Sequence, residues 1–213
     1  MNATSDTNDS LRRSRMSMEE DLRQVRRDHI VSQAIELFYE RGYSRATLDA
    51  LAKNLGVAKP FIYNHFKSKE SILIEICERG VVNALLVADK AILSDGSPTE
   101  RLRNMIQKFT LVVLEHQQNV TIYFREVKNL PQSDLDRIQL QRADLDRKLT
   151  SLLVEGVDCG QFKVEDPQLA AIAMRGMVSW AYTWFQPVNG PSKSDISTKM
   201  AELALSMVNA VKA

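Results

Sequence analysis

The stretch TLDALAKNLGVAKPFIYNHF, residues 47–66, gathers the side chains best suited to chemistry in this chain. Its apolar positions Leu51, Ala52, Leu55, Val57, Ile62 and Phe66 are spaced to face inward. That leaves Lys59, Phe61, Tyr63, Asn64 and His65 facing outward. The chemistry on offer is noncovalent. Small and basic residues at the start of the segment, Lys59 and Pro60 beside Phe61, can approach base edges in a major groove, which admits one α-helix. The Tyr63 hydroxyl and the His65 N–H can bond the phosphates that wall the groove, contacts that fix register. Ser68 and Lys69 open the following helix, and a helix N-terminus attracts anions. With Thr47 and Asn64, these residues are the candidate contacts to duplex DNA. A surface helical hairpin with half-buried aromatics is the plainer alternative.

Positioning such groups requires a break between two short helices. Thr47 can cap the first, which holds Leu48, Leu51, Ala52 and Leu55 on one face, and Gly56 closes it. The second begins near Lys59, with Pro60 tolerated in its first turn. A longer helix precedes them from about Met18 to Arg41, with Ile30, Ala34, Leu37 and Phe38 on one face and Gly42 at its end. Residues 1–17 are polar and aperiodic, and they are expected to form a disordered arm carrying Arg12, Arg13 and Arg15. Ser68 can cap a fourth helix with Ile72 and Ile76 one turn apart. Downstream, Ser97-Pro98-Thr99-Glu100 reads as a capping box, Asp166-Pro167 as a helix start, and Ser192 with Asp195 as another. A long helix begins after Pro131 and ends near Gly156 and Gly160. The expectation is an all-α protein of about nine helices: a helix-turn-helix domain over 18–68, then a helical bundle over 69–213.

Charge is divided unevenly. Residues 11–69 hold 12 Lys/Arg against 7 Asp/Glu, whereas residues 70–213 hold 16 against 18. A polyanion would therefore dock at the front. Cys77 and Cys159 stand far apart, which argues against a disulfide framework or a zinc site, and both are expected to be buried. The longest charge-free run, Gly176–Ser192, is interrupted by polar residues, Pro187 and Gly190, too broken for a membrane span. No signal-peptide pattern stands at the start, so a cytoplasmic protein is expected. The sequence lacks HExxH, P-loop, GxSxG and CxxC patterns, and His29, His65 and His116 are scattered. Asp134/Asp136 and Asp144/Asp146 read as solvated charge. Neither an enzyme nor a metal or other cofactor is expected.

The run AIELFYERGYSRATLDALAKNLGVAKPFIYNHFKSKESIL resembles the DNA-binding domain of the TetR family of bacterial transcription regulators. The F-x-x-x-G-Y opening, the T-L-x-x-L-A helix, the L-G-V-A turn, I-Y-x-H-F and K-S-K-E follow in order. Ala58 departs from a frequent Ser at the start of the recognition helix, and Pro60-Phe61 from a frequent Gly-Thr. The resemblance implies a homodimer that binds a palindromic operator, with a small-molecule pocket in the second domain.

The second domain is compatible with both implications. In DPQLAAIAMRGMVSWAYTWFQ, residues 166–186, Leu169, Ile172, Gly176, Trp180 and Trp184 share one face, while Ala170, Met174, Met177, Ala181 and Phe185 share another. A helix apolar on two faces is buried twice, by its own core and by a partner. Ile196, Met200, Leu203, Met207 and Val211 repeat the pattern in the last helix, giving a four-helix dimer interface. Gly176, a glycine in mid-helix, is expected at a close helix approach. The marks E-G-V-x-x-G-x-F, D-P and G-M-V-x-W-x-Y-x-W-F-x-P are similar to TetR-type regulators of fatty-acid, sterol-side-chain and branched-chain acid catabolism, which implies an acyl-CoA effector. Phe109, Phe124, Met177, Trp180 and Trp184 would then line an apolar slot, and Arg125, Arg142 and Arg175 would meet the CoA phosphates. A drug- or hydrophobic-metabolite-responsive repressor is the alternative.

Overall fold

The computed structural model describes residues 3–186 and 190–209, with side chains from residue 16 onward. Among them every regular element is helical, and two compact units are formed, Met1–Glu75 and Ile76–Ala213. The division falls inside a helix, seven residues beyond the sequence-based boundary at 68/69.

In the first unit, α1 spans Ala3–Arg41, α2 Leu48–Leu55 and α3 Lys59–Tyr63, and α4 begins at Lys69. Helix α1 starts 15 residues ahead of the Met18 start, where a disordered arm was expected. Its packed portion begins at Ile30, and residues such as Leu11, Arg12, Arg13, Arg15, Met16 and Met18 favour helix once a nucleus exists. Side chains of the three arm arginines lie outside the described residues. Ile30, Ala34, Leu37 and Phe38 form the core of this unit with Leu51, Ala52, Ile62, Phe66, Ile72 and Leu73. Thr47 caps α2, its hydroxyl accepting from Ala50 N–H at 3.1 Å. Gly56 closes α2 at φ 66°, where a side chain would be strained, and its N–H reaches Ala52 and Lys53 carbonyls. That left-handed residue turns the chain into α3.

In the second unit, α4 continues to Ile92, followed by α5 Pro98–Glu115, α6 Gln117–Glu126, a 3₁₀ turn Val127–Asn129 and α7 Gln132–Asp158. Then come α8 Pro167–Ser179, α9 Ala181–Trp184 and α10 Lys193–Met207. The capping boxes expected at Ser97/Glu100 and Ser192/Asp195 are both present. Segment 166–186 is not one helix. Thr183 brings both its N–H (3.1 Å) and its hydroxyl (2.8 Å) onto the Trp180 carbonyl, and this i−3 pattern tightens the chain out of the α ladder.

Helix α10 packs along α5, and α7 packs against α8 and α5. The core runs through Leu102, Met105, Ile106, Phe109, Leu149, Leu153, Ala171, Met174, Val178, Met200 and Ala204. Arg101 is buried within it, donating to the Ile92 carbonyl at 3.0 Å and pairing with Glu155. Three of the four acids expected to be solvated are ion-paired instead, Asp134 with Arg137, Asp144 with Arg147 and Lys148, and Asp146 with Arg175, while Asp136 is exposed and accepts from Gln132. Cys77 is buried as expected; Cys159 is exposed, because it falls where α7 ends. Among the described residues no helix is long and apolar enough to cross a membrane, and no cluster of three metal-binding side chains occurs.

Candidate nucleic-acid interface and effector cavity

The outward residues of the helix-turn-helix have distinct environments. Tyr63 is half-exposed and Asn64 exposed, free to meet a polyanion. Lys59 Nζ lies 3.0 Å from Asp49 Oδ2. Asp49 raises the lysine pKa, first through the hydrogen bond and then through its charge. An exposed pair of this kind is weak enough to yield to a phosphate. Ala58 supplies no side-chain cap to α3, and Pro60 sits in its first turn. Phe61 packs against the His65 ring at 5.2 Å. Thr47 accepts a bond through its hydroxyl oxygen, which leaves the proton available to donate.

Two residues differ from the sequence reading. Lys69 does not point to an open anion site. Its ammonium donates to the Tyr43 carbonyl at 2.8 Å and the Ala46 carbonyl at 2.9 Å, over the Tyr43 ring. It ties the loop before α2 to the start of α4, and Ser68 caps α4 through Ser71 N–H at 3.1 Å. His65 is only partly exposed, and its Nδ1 is buried without a hydrogen-bond partner among the described residues. Burial lowers its pKa first, and the charges of Arg23, Arg26 and Arg27 lower it further. Arg27, which periodicity did not single out, donates to the His65 carbonyl at 2.6 Å, covers the Phe66 ring at 4.1 Å and pairs with Glu75. It ties α1 to the turn after α3 and to α4.

These roles separate in one experiment. Tyr63→Ala should weaken binding to all DNA sequences alike, with the melting temperature unchanged. Lys69→Met should instead lower the stability of the first unit by about 1–3 kcal/mol, because two buried-side carbonyls lose a charged donor. Thermal melts beside DNA titrations check this. A normal melt with a lost phosphate contact in Lys69→Met would return Lys69 to the interface.

The second unit holds a small, mainly apolar cavity that is partly open to solvent. Its wall is mainly apolar: Val81, Ala84, Phe109, Val113, Phe124 and Leu145, with Gly80 and Cys77 from α4. Burial pushes the Cys77 thiol up to about 12, so it is an inert wall group. The polar side is Asn119, Tyr123, Arg142, Arg175 and Ser179. Arg175 pairs with Asp146. Arg142 donates to the Tyr123 hydroxyl at 2.8 Å, a neutral partner.

Of the eight expected effector residues, Phe109, Phe124, Arg142 and Arg175 converge on this cavity. Arg125 and Met177 do not line it. Trp180 and Trp184 are 59% and 49% exposed and lie outside it. The reason is the phase of α8: Ala171, Met174, Val178 and Ala181 turn inward and carry the tryptophans outward with Leu169, Ile172 and Gly176. Gly176 has no neighbour within 4 Å of a would-be Cβ, so no close approach among the described residues explains it. In α10, Ile196 and Met200 join the core while Leu203 and Met207 are exposed; Val211 lies outside the described residues.

Family models match both units: "Bacterial regulatory proteins, tetR family" over residues 30–76, and "Tetracyclin repressor-like, C-terminal domain" over 95–208, more than half of the chain. The chain belongs to the TetR family. Regulators of this family are non-enzymatic DNA-binding proteins that dimerise. The chain is 28% identical over 175 residues to the HTH-type transcriptional repressor KstR2 of Mycolicibacterium smegmatis, covering 80% of this chain and 83% of the relative. Among solved structures, the TetR-family regulator PfmR from Thermus thermophilus is similar with a TM-score of 0.77 at 26% identity, over 86% of this chain and 99% of PfmR. AibR, crystallised in complex with isovaleryl coenzyme A and operator DNA, shares the fold with a TM-score of 0.73 at 21% identity, over 87% of this chain and all of AibR.

Proposed function

We propose that this TetR-family regulator is a cytoplasmic homodimeric repressor of a palindromic operator, released by an acyl-CoA thioester whose acyl chain enters the α4–α7 cavity. The observation that carries the reading is the pairing of an apolar wall with Arg142, which donates to a phenol rather than to a carboxylate. A half-buried cationic edge calls for an anion or a strongly polarised acceptor, and the aromatic walls call for a hydrocarbon. Thr47, Lys59, Pro60, Phe61, Tyr63 and Asn64 form the DNA contacts, and the outer face of α8, α9 and α10 forms the dimer contact. AibR's complex with isovaleryl coenzyme A and operator DNA agrees with an acyl-CoA effector on this fold. Because Arg175 is already paired with Asp146, fewer guanidinium groups remain for CoA phosphates than the sequence suggested. That favours a second reading, a hydrophobic effector with a single carboxylate.

Mass spectrometry of ligand co-purified under native conditions tests the proposal, followed by titration of the DNA complex. Acyl-CoAs should release DNA, while CoA alone and free acids should not. Release by free acids only selects the second reading. Arg142→Gln should raise the effector concentration needed for release by roughly tenfold or more, the loss of one charged hydrogen bond of about 1.5–3 kcal/mol, with DNA affinity unchanged. An unchanged response in this variant would remove Arg142 from the site.

A further inference from the structure

The second basic feature of the first unit lies outside the helix-turn-helix. Arg27 fastens one turn of α1 to the end of α3 through its 2.6 Å bond to the His65 carbonyl. Arg23 stands one turn earlier on the same helical face, and Arg26 neighbours both. Arg27 is neutralised by Glu75, whereas Arg23 and Arg26 are exposed and have no carboxylate partner among the described residues. The imidazole of His65, with its buried and unpartnered Nδ1, lies within the field of all three arginines. Like charges three or four residues apart cost a helix a few tenths of a kcal/mol; Glu19 and Glu20 before Arg23 and Glu75 on Arg27 offset part of this, while Arg26 has no acid three or four residues away. Two exposed guanidinium groups next to the turn of α1 that is fastened to the end of α3 are what a polyanion would bind.

We infer that Arg23 and Arg26 form a phosphate clamp that grips the DNA backbone flanking the groove entered by α3. The inference rests on α3 as the DNA-reading helix. The clamp adds two charge contacts that carry no sequence information, so it sets affinity and the approach of α1 to the duplex, and leaves base preference to α3. Arg27 acts differently: it positions α1 and is not itself available to a phosphate.

The test uses the full chain and a duplex of about 30 bp that the wild-type protein enriches from a random library, long enough for two half-sites one helical turn apart. In the Arg23→Gln/Arg26→Gln variant the slope of log affinity against log salt should become shallower by about 3–4, since the dimer loses two phosphate contacts in each protomer and each accounts for roughly 0.9. The ratio of affinities for selected and scrambled duplexes should stay the same. Arg23→Lys/Arg26→Lys should restore the slope. Arg103→Gln/Lys108→Gln, which removes the same charge from exposed positions on α5, should leave it unaltered. A thermal melt matching the wild type should show that the glutamine variant is folded. An unchanged slope in the glutamine variant, or an equal loss from the α5 variant, overturns the clamp. A wild-type protein that enriches no duplex would instead fault the reading of α3.

Discussion

Trp180→Glu is expected to leave the protein monomeric and to weaken operator binding by roughly 10²–10⁴-fold, the gain that a second linked half-site provides. Leu169, Ile172, Trp180 and Trp184 are between 40% and 62% exposed, and Leu203 and Met207 on α10 are 53% and 39% exposed. Single exposed apolar residues are ordinary, but this many large side chains on successive turns of α8 and α9 exceed what a soluble monomer usually leaves to water. Gly176, in open space at the centre of this row, allows another helix to come close. A carboxylate in the middle of such a contact would be desolvated without a partner. Sedimentation gives the assembly state, and anisotropy on operator DNA gives the affinity. Leu140→Glu, at an isolated 72% exposed position on α7, serves as the control and should change neither. A dimer that survives Trp180→Glu combined with Ile172→Glu would exclude this face.

The other large effect concerns stability. Gly156→Ala should destabilise the second unit by about 3 kcal/mol, through overpacking and the loss of a buried aromatic contact. Its φ is ordinary; the constraint is space. A Cβ on Gly156 would lie 2.0 Å from the Phe162 ring, which is itself buried. The ring cannot swing aside cheaply, because Gln161 and Phe162 both donate their N–H groups to the Gly156 carbonyl, at 2.8 and 2.9 Å. For a domain of this size the change corresponds to a melting temperature lower by roughly 10 °C. A double-mutant cycle identifies the cause: Phe162→Ala should cost less in the Gly156→Ala background than alone, since the clash is then absent. Additive losses would mean that the ring is not the obstacle. Gly176→Ala is the contrast. With open space around it, alanine should leave the monomer fold intact or slightly more stable.

The Gly156–Phe162 pair shows how sequence and structure divide the information. The E-G-V-x-x-G-x-F pattern marked these residues, but only the folded chain shows that the loop after α7 doubles back so that a ring occupies the place of a side chain. Local chemistry was legible throughout. Thr47, Ser97, Asp166 and Ser192 cap the helices they were expected to cap, because capping depends on residues within three positions of each other. Gly56 enforces the turn between α2 and α3 for the same local reason. The two faces of segment 166–186 were also legible, since helical phase follows from spacing alone. Which face met the core was not: the sequence offered Trp180 and Trp184 to both a ligand slot and a partner, and the packing of Ala171, Met174 and Val178 decided it. Lys69 shows the same limit. A lysine at a helix start reads as an anion contact until the carbonyls of Tyr43 and Ala46, more than 20 residues earlier, close around it. Arg27 and Arg142 acquire their roles from His65, Glu75 and Tyr123, partners that no periodicity connects. Sequence determines what each helix can present; long-range packing decides which of those groups remain free to act.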